Sequence, residues 1–301
     1  MTLIIICGAT ATGKSDLAVS LAEDIGGEII NADSMQLYRG MNIGTAKLTR
    51  EEQRGIPHHL IDILDVDQDA SVASYQELAR QKIDELLRNN IPAIVVGGTG
   101  LYIKAILDDL NFPDTDPAVR AEIAAEAEAL GADVMHQRLA TLDPAAALAI
   151  PKENVRRVVR ALEVIHLTGA PYTAHLPRAG SSRYPNARQF GLVMDRERLS
   201  ERIDQRVDRM WERGLVAEVR DLIAGGILNG KTAQAALGYS QIIAFAHGRC
   251  TEDEAREETK RATRHYARRQ ETWFSRDERI QWLAPASHEE RLAKLHEHLR
   301  T

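Results

Sequence analysis

Leu3-Ile4-Ile5-Ile6-Cys7-Gly8-Ala9-Thr10-Ala11-Thr12-Gly13-Lys14-Ser15 is the stretch on which the fold turns. Its first five residues are continuously apolar, the pattern of a strand buried on both faces of a parallel sheet. Gly8 to Ser15 then match G-x-x-x-x-G-K-[ST] and run into a helical pattern. In such a loop the glycines let the backbone wrap closely, so that N–H groups and the helix N-terminus point at a diphosphate. Lys14 would bring a cation to the phosphates, and the Ser15 hydroxyl would offer Mg²⁺ a ligand. The loop identifies a diphosphate rather than a reaction; alone it reads as an NTPase or a small-molecule kinase.

Working outward, residues 14–25 are helical and stop at Gly26-Gly27. Residues 28–32 read as a second strand, 60–64 as a short third, and 72–89 as an amphipathic helix. Residues 91–96 are another strand, closed by Gly97-Gly98-Thr99-Gly100 before a helix over 101–107. Strands alternating with helices at this spacing predict a parallel, doubly wound sheet. From 114 to 185 the character changes to Ala-rich helices (118–130, 134–142, 155–168) and a turn-rich stretch with Pro171, Pro177, Gly180-Ser181-Ser182 and Pro185. An apolar strand resumes over 190–194, four helical segments reach Ser275, and 280–283 suits a last strand. The expected layout is a core of residues 1–113 with 189–301, interrupted by a helical insertion over 114–188.

With 44% hydrophobic and 27% charged residues over 301 positions, disordered, collagen-like and disulfide-scaffold classes are excluded. No run approaches eighteen apolar residues, and the N-terminus lacks the basic flank of a signal peptide, so a cytoplasmic location is expected. Cys7 and Cys250 are too few for a disulfide framework or a Cys-based zinc site. The net charge of −6 argues against nucleic acid, but its distribution argues the other way. Residues 260–279 carry seven Lys or Arg against three acids, a localised basic element on an acidic body.

On a helix, Lys260, Arg261, Arg264, His265, Arg268 and Arg269 share about half the circumference. Ala262, Thr263, Tyr266, Ala267, Gln270, Trp273 and Phe274 take the other half and are expected to dock on the core. The 155–168 helix repeats the pattern, with Val155, Val158, Val159 and Leu162 opposite Arg156, Arg157 and Arg160. Two such helices suit the phosphates of an RNA stem-loop, or they are solvated faces. Asp33-Ser34 lies at the carboxyl end of the second strand, where ligands bind in open α/β sheets; Asp33 would accept a proton, hold a metal or cap a helix. Thr99 lies at the same edge and would donate to a phosphate or cap its helix.

Together these residues resemble one family, the tRNA dimethylallyltransferases (tRNA isopentenyltransferases). The resemblance rests on Gly8 to Ser15, on Asn31-Ala32-Asp33-Ser34-Met35-Gln36-Leu37-Tyr38, and on Gly44-Thr45-Ala46-Lys47. It continues through His58-His59-Leu60-Ile61-Asp62, Gly97 to Tyr102, the run from Asn154 to Glu163, Gly238-Tyr239, and Arg268-Arg269-Gln270-Glu271-Thr272-Trp273-Phe274. It implies a P-loop NTPase-like parallel-sheet core flanked by helices, with an all-helical insertion domain. It implies transfer of a dimethylallyl group from dimethylallyl diphosphate to N6 of the adenosine just 3′ of the anticodon (position 37), in tRNAs reading codons that begin with U. Mg²⁺ assists, and the phosphate loop holds a prenyl diphosphate.

Carried over by resemblance, Asp33 is the general base or acceptor for the adenine amino group, Thr10 sits beside the diphosphate, and Arg206 lies on it. Asp33, Ser34, Met35, Gln36, Thr99, Arg120, Arg156, Arg157, Val158, Val159 and Arg160 match tRNA-contacting positions, and Arg268 and Arg269 join them through the basic helix. Ala9 stands where proline is usual and Thr12 where serine is common; neither change removes a charge or a required glycine. No zinc, no membrane and no obligate protein partner are expected, and a monomer is. Because the adenine must leave its stack, an aromatic is expected to replace that stacking, with Tyr38, Tyr102 and Tyr239 as candidates unless they are core residues. The rival readings are a P-loop kinase of a small metabolite, an isopentenyltransferase acting on free adenine nucleotides, and an RNA-binding protein with a vestigial phosphate loop.

Overall fold

In the first strand, β1 (Leu3–Gly8), Leu3, Ile5 and Cys7 enter one hydrophobic core while Ile4 and Ile6 enter another. Alternate side chains point to opposite faces and both faces are covered, which is why the run is apolar without a break. The molecule is known from a computed structural model that describes residues 2–110, 112–175 and 182–300. Pro177, Gly180 and Ser181 of the expected turn region lie outside them.

Five further strands complete the sheet: β2 (Glu28–Asn31), β3 (His58–His59), β4 (Ala93–Val96), β5 (Arg188–Leu192) and β6 (Ile280–Leu283). Their order is β3-β2-β4-β1-β5-β6 and every pairing is parallel, as the expected α/β class requires. One face carries α2 (Val72–Arg88) and α3 (Gly100–Leu107), with Tyr75, Ala79, Ile83, Tyr102 and Ile106 in its core. The other carries α1 (Lys14–Ile25), with Leu17, Ala18, Leu21 and Ala22 inward.

The third strand stops at His59 instead of covering 60–64, because Leu60 and Asp62 turn into positive φ (59° and 56°). Leu64 keeps only an isolated parallel bridge to Tyr38. β5 lies two residues earlier than expected, since Asp195 is already capping the next helix through its carboxylate.

The chain forms two compact units: residues 1–107 with 184–301, and residues 108–183. The second contains α4 (Pro117–Leu130), α5 (Ala132–Leu142), α6 (Pro144–Ala149) and α7 (Val155–Thr168). Three of these helices start at the side-chain caps Asp116, Asp143 and Asn154, two of them followed by proline. Ile123, Met135, Leu139, Val158, Ala161 and Leu162 are buried together there. The short α6 escapes detection in the sequence because six residues cannot display a helical period.

The first unit continues with α8 (Arg196–Glu212), α9 (Leu215–Ala224), α10 (Tyr239–Ala246), α11 (Glu252–Phe274) and α12 (His288–Arg300). The last was not anticipated; Leu295 seats it in the core beside α1, and buried Arg291 donates to the carbonyls of Thr12 and Val193.

Candidate active site

Because the strands are parallel, the loops leaving β1, β2, β4 and β5 all open on one edge of the sheet. The loop after β1 turns left-handed at Ala11 (φ 64°) and Gly13 (φ 93°). At Gly8 (φ 133°) an added Cβ would stand 2.9 Å from the Leu192 carbonyl oxygen, so a side chain there would push β1 and β5 apart. The Thr12 hydroxyl and the Lys14 ammonium both donate to the Ala9 carbonyl, at 2.8 and 2.6 Å. The loop is thus folded around its own carbonyl, with the lysine tucked in. Ser15 follows, half-buried, at the start of α1.

Asp33 leaves β2 on a rigid turn. Buried Asn31 accepts from the Asp33 N–H (2.9 Å) and donates to the carbonyls of Asp33 and Leu60 (2.9 Å each). One Asp33 carboxylate oxygen accepts from the Met35 N–H at 2.9 Å. The Thr99 hydroxyl does not cap α3; it accepts from the Ser34 N–H at 3.2 Å and so ties the loop after β4 to the loop after β2. Gln36 donates to the Thr45 carbonyl at 3.0 Å. The Asp33-to-Gln36 segment and Thr99 therefore form one braced edge.

Electrostatics bring the loops together. Burial pushes the Lys14 ammonium down to about 8; the Arg206 guanidinium of α8 adds to that, and the Asp33 carboxylate opposes it. Arg206 is itself lowered by burial, against Asp33 and with Arg209 and Arg202 adding to the burden. Burial pushes the Tyr266 phenol up to about 12, with Asp33 contributing and with Thr99 and Gln270 beside its hydroxyl. A carboxylate faces two cations here, which suits a site where a proton is accepted while negative charge grows nearby.

The element that locks this arrangement is Gln270 of α11, which the sequence placed only on a docking face. Its Oε1 accepts from the Thr10 N–H at 2.8 Å and its Nε2 donates to the Gly98 carbonyl at 2.8 Å. A Cβ on Gly98 would collide with that nitrogen, and one on Gly100 would collide with the Trp273 ring. Gly98 and Gly100 are required because α11 packs directly on their backbone, whereas at Gly97 an added Cβ would strike the Ala32 backbone. The signal that could have found Gln270 is a buried amide three residues before a tryptophan, opposite a glycine run.

Several expected contacts are corrected. Tyr38, Tyr102 and Tyr239 are 0%, 4% and 0% exposed, so none is free to stack on an extruded base. Trp273, expected to be buried, is 42% exposed and lies against Gly100. Val158 and Val159 are 1% and 6% exposed, because their side chains fill the core of the helical unit, so of the expected contacts on α7 only the arginine side chains lie outside that core. Of these, Arg160 and also Arg120 are bound to the fully buried Glu163 carboxylate at 2.9 and 2.8 Å, while Arg156 and Arg157 are exposed.

On α11 the basic stripe is partly neutralised. Lys260 pairs with Asp208 (2.7 Å) and Glu257 (2.9 Å), Arg261 with Glu258 (2.7 Å), and Arg264 with Asp204. Arg268 and Arg269 are exposed; Arg269 lies 5.7 Å from the Tyr266 ring centre.

Comparison with known proteins agrees with this fold. The family model described as IPP transferase matches residues 36–277. The tRNA dimethylallyltransferase of Thermobifida fusca is 58% identical over 287 residues, covering 94% of this chain and 89% of that protein. That of Streptomyces griseus is 57% identical over 281 residues, covering 93% and 89%. The crystal structure of a full-length tRNA isopentenylpyrophosphate transferase from Bacillus halodurans superposes with a TM-score of 0.73 at 40% identity, covering 99% of this chain and 95% of that one. A eukaryotic dimethylallyltransferase described as acting on tRNA gives a TM-score of 0.75 at 27% identity, over 91% and 69% of the two chains.

Proposed function

The chain belongs to the IPP transferase family, and from that premise we propose that it is a tRNA dimethylallyltransferase. It moves the dimethylallyl group of dimethylallyl diphosphate onto N6 of adenosine 37, 3′ to the anticodon, in tRNAs that read codons beginning with U. The products are N6-isopentenyladenosine and diphosphate. The observation that carries the reading is the grouping of Asp33 with Lys14 and Arg206 at the sheet edge.

In the transfer, the bond from the allylic carbon to the diphosphate oxygen breaks and the bond from that carbon to N6 forms. The electron pair leaves with the diphosphate, where Lys14 and Arg206 meet the growing charge. An N6 proton passes to Asp33, whose second oxygen has no hydrogen-bond partner among the described residues; an exocyclic amine conjugated to the ring is a poor nucleophile without such an acceptor. The Thr10 amide is held by Gln270, which supports a place for its side chain beside the reacting carbon.

Mg²⁺ fits the residues present. It prefers one or two protein oxygens plus substrate phosphates over an all-protein cage. Among the described residues the Ser15 hydroxyl has no hydrogen-bond partner, and no cluster of three or more metal-ligating side chains occurs. Ser15 would hold the ion, which when bound neutralises the departing diphosphate.

Arg156 and Arg157 of α7, Arg268 and Arg269 of α11, and the Asp33-to-Gln36 edge support contact with the anticodon stem-loop. Trp273, flat and exposed beside the Thr99 loop, supports a base leaving its stack. No helix among the described residues is long and apolar enough to cross a membrane; a tRNA acceptor supports a cytoplasmic location, and we propose that the enzyme acts there as a monomer. The test is incubation with dimethylallyl diphosphate, Mg²⁺ and unmodified tRNA, followed by nucleoside mass spectrometry. An added C5H8 mass on adenosine 37 is expected, and an unaltered anticodon arm refutes the proposal. Asp33→Ala should abolish that mass shift while leaving tRNA affinity within a few-fold.

A further inference from the structure

We infer that the arginine face of α8, on both sides of Arg206, is a contact track for the phosphate backbone of the RNA acceptor. Arg198, Arg202, Arg206, Arg209 and Arg213 follow one another at spacings that put them within about 80° of arc on a helix of 100° per residue. From first to last they run about 22 Å along the axis at 1.5 Å per residue. Arg198, Arg202, Arg209 and Arg213 are exposed, and none of the five has a carboxylate within 4 Å among the described residues.

Their lack of partners does not come from a shortage of acids. On the same helix Asp204 and Asp208 turn the other way and neutralise Arg264 and Lys260 of α11. The remaining acids, Glu197, Glu201 and Glu212, fall outside the arginine arc. A second layer of charge lies behind the first. Arg291, 6% exposed, is held by the carbonyls of Thr12, Val193 and Ala284, and its guanidinium is lowered by burial and by Arg202 and Arg198. Like charges three and four residues apart destabilise a helix, so this face is not explained by stability.

The occupant follows from length and position. Arg206 sits at the phosphate loop beside Lys14, yet the flanking arginines extend about 10–12 Å to either side of it. That span is several times what one diphosphate can fill. It suits a regularly charged polymer whose backbone must pass the reaction centre in order to deliver a base there.

This inference rests on the proposed RNA acceptor. The test uses the full chain with two double variants that retain Arg206, Arg198→Gln with Arg202→Gln and Arg209→Gln with Arg213→Gln. Affinity for an unmodified anticodon stem-loop is read by fluorescence anisotropy over a series of salt concentrations, and inorganic pyrophosphate binding is read by calorimetry. Each double variant should flatten the slope of log affinity against log salt by about 1.4–1.8, the value for two lost phosphate contacts. Pyrophosphate Kd should stay within about threefold, and the Arg→Lys pairs should restore the slope.

Slopes equal to wild type in both variants overturn the inference, and so does a loss of pyrophosphate binding as large as the loss of RNA binding, which would make the stripe a guide for the small anion. If wild-type protein neither binds nor prenylates the stem-loop, the RNA acceptor itself is wrong and the inference falls with it. If wild type does both and the slopes do not move, the inference alone fails.

Discussion

Replacing Gln270 by Glu changes one atom and should reveal how much the site depends on that residue. The wild-type amide accepts from the Thr10 N–H and donates to the Gly98 carbonyl, both at 2.8 Å, from a position only 5% exposed. An ionised carboxylate keeps the first bond but sets a negative oxygen against the Gly98 carbonyl, leaving a buried acceptor unsatisfied. That costs about 1–3 kcal/mol, a drop in Tm of about 2–6 °C for a chain of this size. A protonated carboxyl, by contrast, donates and accepts as the amide does.

Burial raises the pKa of the new group above its unfolded value, so the deficit against wild type is full above the folded pKa and vanishes as pH falls toward the unfolded value near 4.3. Urea unfolding of variant and wild type at matched pH values between 5 and 8.5 measures this, and the KM for prenyl diphosphate should rise in parallel. A variant as stable as wild type at pH 8, or a deficit that ignores pH, would refute the role given to Gln270.

Other expectations follow from the same geometry. With Lys14 at about 8, the unliganded protein loses that charge above pH 8, so pyrophosphate affinity should decline from pH 8 to 9.5. Because the bound polyanion raises the lysine pKa again, calorimetry in two buffers should show proton uptake, and pH-independent binding would exclude it. Gly98→Ala forces a Cβ into the Gln270 amide, so stability should fall by about 1–3 kcal/mol in urea unfolding, with prenyl transfer lost together with it. Glu163→Ala strips a fully buried carboxylate from Thr115, the Asp116 N–H, Arg120 and Arg160; loss of about 3–5 kcal/mol and faster proteolysis within residues 108–183 are expected, and a change under 1 kcal/mol would count against it.

Much of this architecture was legible because local and global signals coincide in it. β1 is apolar on both faces since both faces are covered, and the loop that follows carries its own chemistry in its spacing. The bounds of α1, α7 and β6 match the sequence reading to the residue. Where the reading went astray, tertiary context decided. The strand expected over 60–64 is stopped by left-handed Leu60 and Asp62, which no propensity announces. The tyrosines offered for stacking are core residues, and the tryptophan assigned to the core is exposed.

The basic face of α11 was visible as a pattern, but its pairing with α8 was not, because that depends on which helix lies alongside. Arg206 could be singled out only through resemblance. The periodic arginines around it were present in the sequence and became informative once their acids were found facing elsewhere.

The Thr10–Gln270 bond joins residues 260 positions apart, and the Arg291–Thr12 bond joins residues 279 apart. The anion loop is therefore synthesised well before the helices that brace it. A nascent chain carries an unclosed cradle until residues 270 and 291 have been made. Termination before residue 270 should yield an inert fragment rather than a sluggish enzyme, so competence to modify RNA is expected only after the bracing helix has been made.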